Sequence, residues 1–157
     1  MTALIFYLFL ALFISFVCSL VEATLLTIPR SYLLSIEKNN EWATSFLSFK
    51  NNIDKPLSAI LTLNTIAHTI GAAGVGAEVT SLFGDNYLGF ASAILTILIL
   101  FFSEIIPKTI GATYCKGLSK FTFYTVKFML MITYPFVVVS MKITGSIATQ
   151  KDNNVTR

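Results

Sequence analysis

The chain has 157 residues, of which 55% are hydrophobic and only 12% are charged, and its formal net charge is +3. Soluble domains carry about a quarter charged residues, so this composition excludes an ordinary soluble domain and predicts one compact integral membrane protein. No basic stripe with interleaved aromatic residues lies outside the apolar runs. We therefore expect no nucleic-acid partner. Cys18 and Cys115 lack the spacing of a disulfide framework or a zinc site.

Four apolar segments follow one another along the chain. They run from about Thr2 to Ile28, from Pro56 to Ala77, from near Tyr87 to Ile106, and from Phe121 to Ile147. We expect the first three to cross a lipid bilayer as helices, with Pro29 and Pro107 ending the first and the third. The first segment lacks the basic start of a signal peptide and exceeds its apolar core in length, which favours an uncleaved span.

The fourth segment and the first loop are expected to lie at the membrane surface. Lys127 and Lys142 enclose only the 14 residues from Phe128 to Met141, fewer than the roughly 17 to 25 of a spanning helix. Pro135 interrupts even this stretch. We favour a kinked juxtamembrane belt helix over a fourth span. Residues 30–55 mix charges with apolar residues at partly helical spacing, which predicts one or two amphipathic helices.

The distribution of basic residues predicts the topology. The first loop holds four lysines or arginines, the loop over residues 78–86 holds none, and seven follow the third segment. The first loop and the region after Ile106 are therefore expected in the cytosol, with the N-terminus outside and the C-terminus inside. We expect the plasma (inner) membrane, with residues 1–150 as the transmembrane domain and residues 151–157 as a polar tail.

Polar residues in these spans indicate a cation site. Glu104 lies near the end of the third span, Asn64 lies inside the second, and Ser19 and Glu22 lie late in the first. A carboxylate in a span is costly and normally faces a partner, an ion or a water-filled cavity. Counted by helix rise, these residues all reach the cytosolic half, at roughly 18 to 30 Å from the outer face. A common depth is what a shared site requires.

Pro107 is expected to add a backbone ligand. It has no N–H with which to bond the carbonyl of Ser103, one turn earlier. Freed carbonyls at broken helices bind cations in transporters. Carboxylate, amide, hydroxyl and carbonyl oxygens favour hard ions such as magnesium, calcium or sodium over zinc or copper.

Each of these residues also has a simpler interpretation. Glu22 could extend to the interface or pair with Arg30, and Glu104 could only pair with Lys108. Asn64 and His68 could only bond a neighbouring helix, and Ser19 could bond its own backbone. The small residues between Ala67 and Gly76 are typical of close helix packing.

The motifs around these residues resemble the transmembrane domain of the CorC/CNNM magnesium transporter family over nearly the whole chain. Ser103-Glu104-Ile105-Ile106-Pro107-Lys108 is similar to the family pattern G-E-[IV]-x-P-K. Leu61 to His68 is similar to L-x-x-N-N-x-x-N, and Ser19 to Ala23 to S-G-x-E-[TA]. Val21, Thr65 and His68 depart from the residues that many members carry.

The resemblance implies a fold, a site and an activity. It implies a dimer of three spans and a belt helix, with a magnesium ion held without its water shell. It marks Ser19, Asn64 and Glu104 as ligands, together with backbone carbonyls near Ile110 and Gly111. Most members continue into a CBS-pair region, whereas this sequence stops at Arg157.

We therefore predict an all-α homodimer in the lipid bilayer that transports magnesium, with sodium-coupled export by alternating access as the resemblance suggests. The alternative is a non-transporting membrane module that dimerises and regulates a partner channel or transporter. We do not expect an enzyme, because no nucleophile–base pair or phosphate-cradling loop is visible.

Overall fold

The computed structural model describes residues 1–139, which are helical almost throughout and contain no strand. The helices are α1 (Thr2–Thr27), α2 (Arg30–Ile36), α3 (Glu41–Asn51), α4 (Asp54–Phe83), α5 (Leu88–Leu98), a π-helix (Ile99–Ile105), α6 (Ile106–Thr113) and α7 (Cys115–Ile132). Short 3₁₀ turns cover Glu37–Asn39 and Asp85–Tyr87. Helical backbone resumes over residues 134–139.

Three helical segments are long and apolar enough to cross a membrane. They are Thr2–Thr27, Asp54–Phe83 and Asp85–Thr113, so the predicted all-α membrane protein with three spans is confirmed. The second span is longer than predicted, because residues 78–83 mix polar and apolar residues but contain no helix breaker. Gly84, with φ of 86°, ends the helix in a conformation that favours glycine. The expected loop is thus reduced to Gly84 and one 3₁₀ turn.

Pro107 does not end the third span, contrary to the prediction. The helix widens into the π-helix Ile99–Ile105, in which the Ile106 N–H bonds the Phe101 carbonyl five residues back. α6 then begins, with Pro107 in its first turn. A proline is tolerated there because no intrahelical donor is needed at that position. The π-helix before the proline accommodates it, so the chain stays helical to Thr113.

The predicted amphipathic helices of the first loop are present as α2 and α3. α3 buries Ala43, Phe46 and Leu47. The ring centroids of Phe46 and Phe49 lie 6.3 and 5.6 Å from that of Phe123 in α7. These aromatic contacts attach the loop to the helix that follows the third span.

The fourth segment differs from its prediction in two boundaries. α7 begins at Cys115 rather than Phe121, and the bend falls at Thr133 rather than at Pro135. Pro135 lies in the first turn of residues 134–139, where a missing N–H costs little. The remainder of the segment, residues 140–147, and the tail 151–157 lie outside the described residues.

The main core lies at the end of the bundle where α2, α3 and α7 gather, which we call the α7 end. The second half of α1 contributes Cys18, Val21, Leu25 and Ile28 to it. Other helices contribute Leu33, Phe46, Ile60, Phe123 and Val126, among others. The opposite end holds only a small cluster of Val75, Val79 and Leu95 among the buried described residues.

Candidate cation site

α1 and α4 pack antiparallel at short range. A Cβ added to Gly71 would collide with the Ala11 methyl group, and one added to Gly74 would lie 2.5 Å from the Tyr7 ring. Ser15 Oγ lies 2.6 Å from His68 Nε2. Successive contacts therefore advance four residues along α1 and retreat three along α4. The small residues of α4 serve this close approach.

One helical turn beyond the Ser15–His68 contact, α1 carries Ser19 and α4 carries Asn64. Ser19 is 1% exposed, and Ser19 Oγ and Asn64 Oδ1 are both buried with no hydrogen-bond partner in the described part of the chain. A buried polar atom without a partner costs about 1–3 kcal/mol. The third such atom among residues 1–139 is Thr122 Oγ1, on the buried face of α7. Two of the three unsatisfied buried side-chain oxygens among residues 1–139 thus belong to predicted ligands.

The neighbouring polar residues do have partners. His68 bonds Ser15 across the helix interface, as its simpler interpretation predicts. Thr24 Oγ donates to the Leu20 carbonyl at 2.8 Å, the backbone bond that was the alternative role for Ser19. Within the described residues, neither alternative is realised for Ser19 Oγ or Asn64 Oδ1.

α6 closes on α1 directly beside Ser19. A Cβ on Gly111 would lie 2.5 Å from the Leu20 carbonyl oxygen and 3.0 Å from the Ala23 Cβ. The Gly111 carbonyl lies 3.2 Å from Thr24 Oγ. The predicted ligand Gly111 is therefore within one turn of Ser19 along α1. The Ile110 carbonyl accepts the Tyr114 N–H at 2.9 Å, which leaves it one lone pair.

Glu104 lies two turns before Gly111, and seven residues bring a helix back to nearly the same face. That face carries the buried residues Ser103, Pro107 and Gly111. Glu104 itself is half-buried. Gly111 contacts residues 20–24, and Glu104 lies seven residues before it, roughly 10 Å away from the α7 end. This places Glu104 near the level of Ser15, about one turn from that of Ser19. We expect its side chain to extend toward Ser19 and Asn64.

The ion pair of this region is not one of the two that the sequence suggested. Lys108 Nζ lies 3.6 Å from Glu22 Oε2, with the two side chains 46% and 17% exposed. Arg30 instead donates to Asn51 Oδ1. Glu104 forms no ion pair among residues 1–139. Glu22 and Lys108 lie at a shared depth in parallel spans, which narrows the possible partners but leaves the rotation of each helix undetermined.

The π-helix adds a second backbone carbonyl that Pro107 leaves without a donor. Pro107 has no N–H, and its acceptor would be Phe102 in the π register, five residues back, or Ser103 in the α register of α6. Neither carbonyl receives a bond from residue 107. Ser103 is fully buried, and its hydroxyl donates to the Ile99 carbonyl at 2.8 Å. A role of Ser103 as a ligand stays a prediction.

The donor chemistry of this layer suits a hard cation. Among the described residues no three histidine, cysteine, aspartate or glutamate side chains gather as a metal centre. The donors are one carboxylate, one amide oxygen, one hydroxyl and backbone carbonyls. Such all-oxygen sets suit magnesium, calcium and sodium. His68 adds no free nitrogen at Nε2, because that atom is bonded to Ser15.

Comparison with known proteins identifies the family. Residues 5–157 match the family model described as the cyclin M transmembrane N-terminal domain. The chain belongs to this family. It is 33% identical over 138 residues to a UPF0053 protein of Synechocystis, covering 87% of this chain and 40% of the relative. It is 31% identical over 138 residues to a UPF0053 protein of Haemophilus influenzae, covering 80% and 32%.

A more distant relative is a chloroplastic DUF21 domain-containing protein of Arabidopsis thaliana. It is 25% identical over 90 residues, which cover 57% of this chain and 14% of the relative. The chain therefore spans less than half the length of each of these relatives. With three apolar spans, it is an integral membrane protein. Family membership suggests a membrane-associated role related to divalent cation transport.

Proposed function

We propose that this chain is the membrane domain of a divalent cation transporter, with magnesium as the transported substrate. The observation that carries the proposal is the pair of buried, unpartnered oxygens, Ser19 Oγ and Asn64 Oδ1, on facing helices. An unsatisfied buried polar atom in a native structure needs an explanation, and a bound ion is one of them. A cation on these two oxygens would satisfy both.

Glu104 would supply the negative charge at this site. Magnesium sheds its water reluctantly, so a site that binds it dehydrated needs fixed oxygens and an anionic ligand. Because Lys108 is paired with Glu22, the Glu104 carboxylate is left to face a cation. The Gly111 carbonyl, held against α1, completes the protein donors we assign.

The transport cycle we propose is alternating access with sodium-coupled export. The widened π-turn beside Glu104 and Pro107 supports this, because its carbonyl pattern can change when the helix returns to the α register. A homodimer remains part of the proposal, since three spans provide little wall around an ion path. The Gly71–Gly74 face is occupied by α1, so that dimer must use another surface.

The test measures magnesium efflux from loaded proteoliposomes together with magnesium binding by calorimetry. Glu104→Gln should abolish both, because it removes the charge without changing the shape of the side chain. Glu78→Gln is the matched control, since it removes the same charge from α4 four turns beyond Asn64. It should keep both activities. Equal efflux and binding in wild type and Glu104→Gln would refute the proposal.

Two further readouts test sodium coupling and transport separately. Efflux that persists without a sodium gradient would refute sodium coupling but not the proposed cation site. Magnesium binding without any efflux would favour the regulatory module, which needs no transport.

A further inference from the structure

The helix α7 has three distinct faces along its length. Its buried face carries Cys115, Ser119, Thr122, Phe123, Val126 and Met129. At 3.6 residues per turn, Lys116, Lys120 and Lys127 fall within roughly 40° of one another, at the edge of that face. All three lysines are exposed. A basic stripe thus runs along the helix.

Beside the basic stripe lies a large apolar face. Phe121, Tyr124, Phe128 and Met131 are 47%, 54%, 57% and 69% exposed. Lys120, Phe121, Tyr124, Thr125 and Phe128 line an open hollow of about 540 Å³. The hollow has aromatic walls and an ammonium group at its edge. An apolar trough with a cation at its edge suits a lipid, which has an acyl chain and a charged headgroup.

The charges around this face have one sign. Residues 105–139 contain four lysines and no aspartate or glutamate. Lys108 is paired with Glu22, and Lys116 Nζ lies 5.6 Å from the centre of the Tyr32 ring. Within the described residues Lys120 and Lys127 have no ion-pair partner. Two positive charges are therefore left facing outward from the helix.

The position of α7 indicates which anion lies near its lysines. α7 starts two residues after the third span ends at Thr113, so its first turns lie at the membrane surface. An amphipathic helix with lysines beside aromatic residues lies in the interface and is attracted to anionic headgroups. We propose that the exposed face of α7 binds an anionic phospholipid. Lys120 and Lys127 hold the headgroup phosphate, and Phe121, Tyr124 and Phe128 hold the acyl chain.

Native mass spectrometry of the detergent-purified chain tests this proposal. The protein is mixed with equal amounts of phosphatidylglycerol and phosphatidylcholine, and the retained lipids are counted. Wild type should retain phosphatidylglycerol about 30-fold over phosphatidylcholine, as two lysines near an anionic headgroup predict. Lys120→Gln/Lys127→Gln should lose this preference. Because both lysines are exposed, the double variant should keep the wild-type melting temperature.

Lys38→Gln/Lys55→Gln is the matched control, since it removes two exposed charges from the first loop and the start of α4. It should keep the preference for phosphatidylglycerol. Phe128→Ala should reduce retention of both lipids equally, because it removes only apolar surface. Equal loss in both double variants, or no preference in wild type, would overturn the proposal. So would a second protein chain held in place of the lipid and lost in Lys120→Gln/Lys127→Gln.

Discussion

Two polar layers between α1 and α4 lie one helical turn apart and differ in their hydrogen bonds. In the first, Ser15 Oγ and His68 Nε2 satisfy each other at 2.6 Å. In the second, Ser19 Oγ and Asn64 Oδ1 are buried and unpartnered within the described residues. Both layers lie between the same two helices, so the difference lies in which side chains meet and in what else packs against them.

The first layer is a structural contact, and the second is the binding site that we propose. A hydroxyl–imidazole pair in a membrane interior stabilises the helix interface by a modest amount, about 0.6 kcal/mol on average. Two oxygens that meet no donor destabilise the same interface, and the cation of the proposed function would satisfy them. Only the second layer adjoins Gly111, where α6 comes close to α1. The first layer should therefore govern stability, and the second should govern ion binding.

The largest expected effect comes from removing the unsatisfied oxygens. Ser19→Ala and Asn64→Leu should each lower magnesium affinity by more than about 100-fold, since even outer-shell partners contribute about 10- to 100-fold. Without magnesium both variants should melt at or above the wild-type temperature, because an unsatisfied buried oxygen costs about 1–3 kcal/mol. Calorimetry and thermal melting in detergent measure the two quantities on one sample.

A different result in the same experiment would remove the contrast between the layers. If Ser19→Ala or Asn64→Leu destabilises the ion-free protein by as much as it weakens binding, the oxygens have protein partners after all. The second layer would then be structural, like the first.

A smaller effect is expected where α6 presses on α1. Gly111→Ala would place a methyl group 2.5 Å from the Leu20 carbonyl oxygen, so the helices must separate. Overpacking of this kind costs about 1–3 kcal/mol. Magnesium affinity should fall as well, because the Gly111 carbonyl moves away from Ser19. Thermal melting and calorimetry again report both effects.

Gly117→Ala is the control for this substitution. Gly117 has no atom within 4 Å of an added Cβ, and its helix should gain slightly from alanine. If Gly111→Ala melts and binds like Gly117→Ala, α6 is not held against the site.

The spans were predictable from the sequence, whereas the shape of the third span was not. Apolar runs of the right length between proline and glycine signals identify helices directly. Pro107 was expected to end its helix, because that inference assumes an α register. Ser103 in the π-helix Ile99–Ile105 and Pro107 just after it are both buried by packing in the folded protein. Periodicity in one sequence carries no information about that packing.

The depth of each polar residue along its span was predictable from the sequence, whereas the ion pairs between spans were not. Helix rise predicted that Ser19, Asn64 and Glu104 share a level, and Ser19 and Asn64 each lie four residues from the Ser15–His68 contact of α1 and α4. The partners of Glu22 and Lys108 were missed, because an ion pair between spans depends on rotation about each helix axis. Rotation depends on contacts such as Ala11 against Gly71, which follow from the folded interface.

The smallest expected effect concerns the satisfied layer. Ser15→Ala and His68→Leu each break the same hydrogen bond, so each should destabilise the protein in detergent. In a double-mutant cycle the coupling should be about 0.6 kcal/mol, the average for such bonds between membrane helices. Magnesium affinity should change less than about threefold, since the pair lies a full turn from Ser19 and Asn64 and leaves both oxygens in place. A fall in affinity like that of Asn64→Leu would show that the two layers act as one site, because the pair would then be positioning the ligands below it.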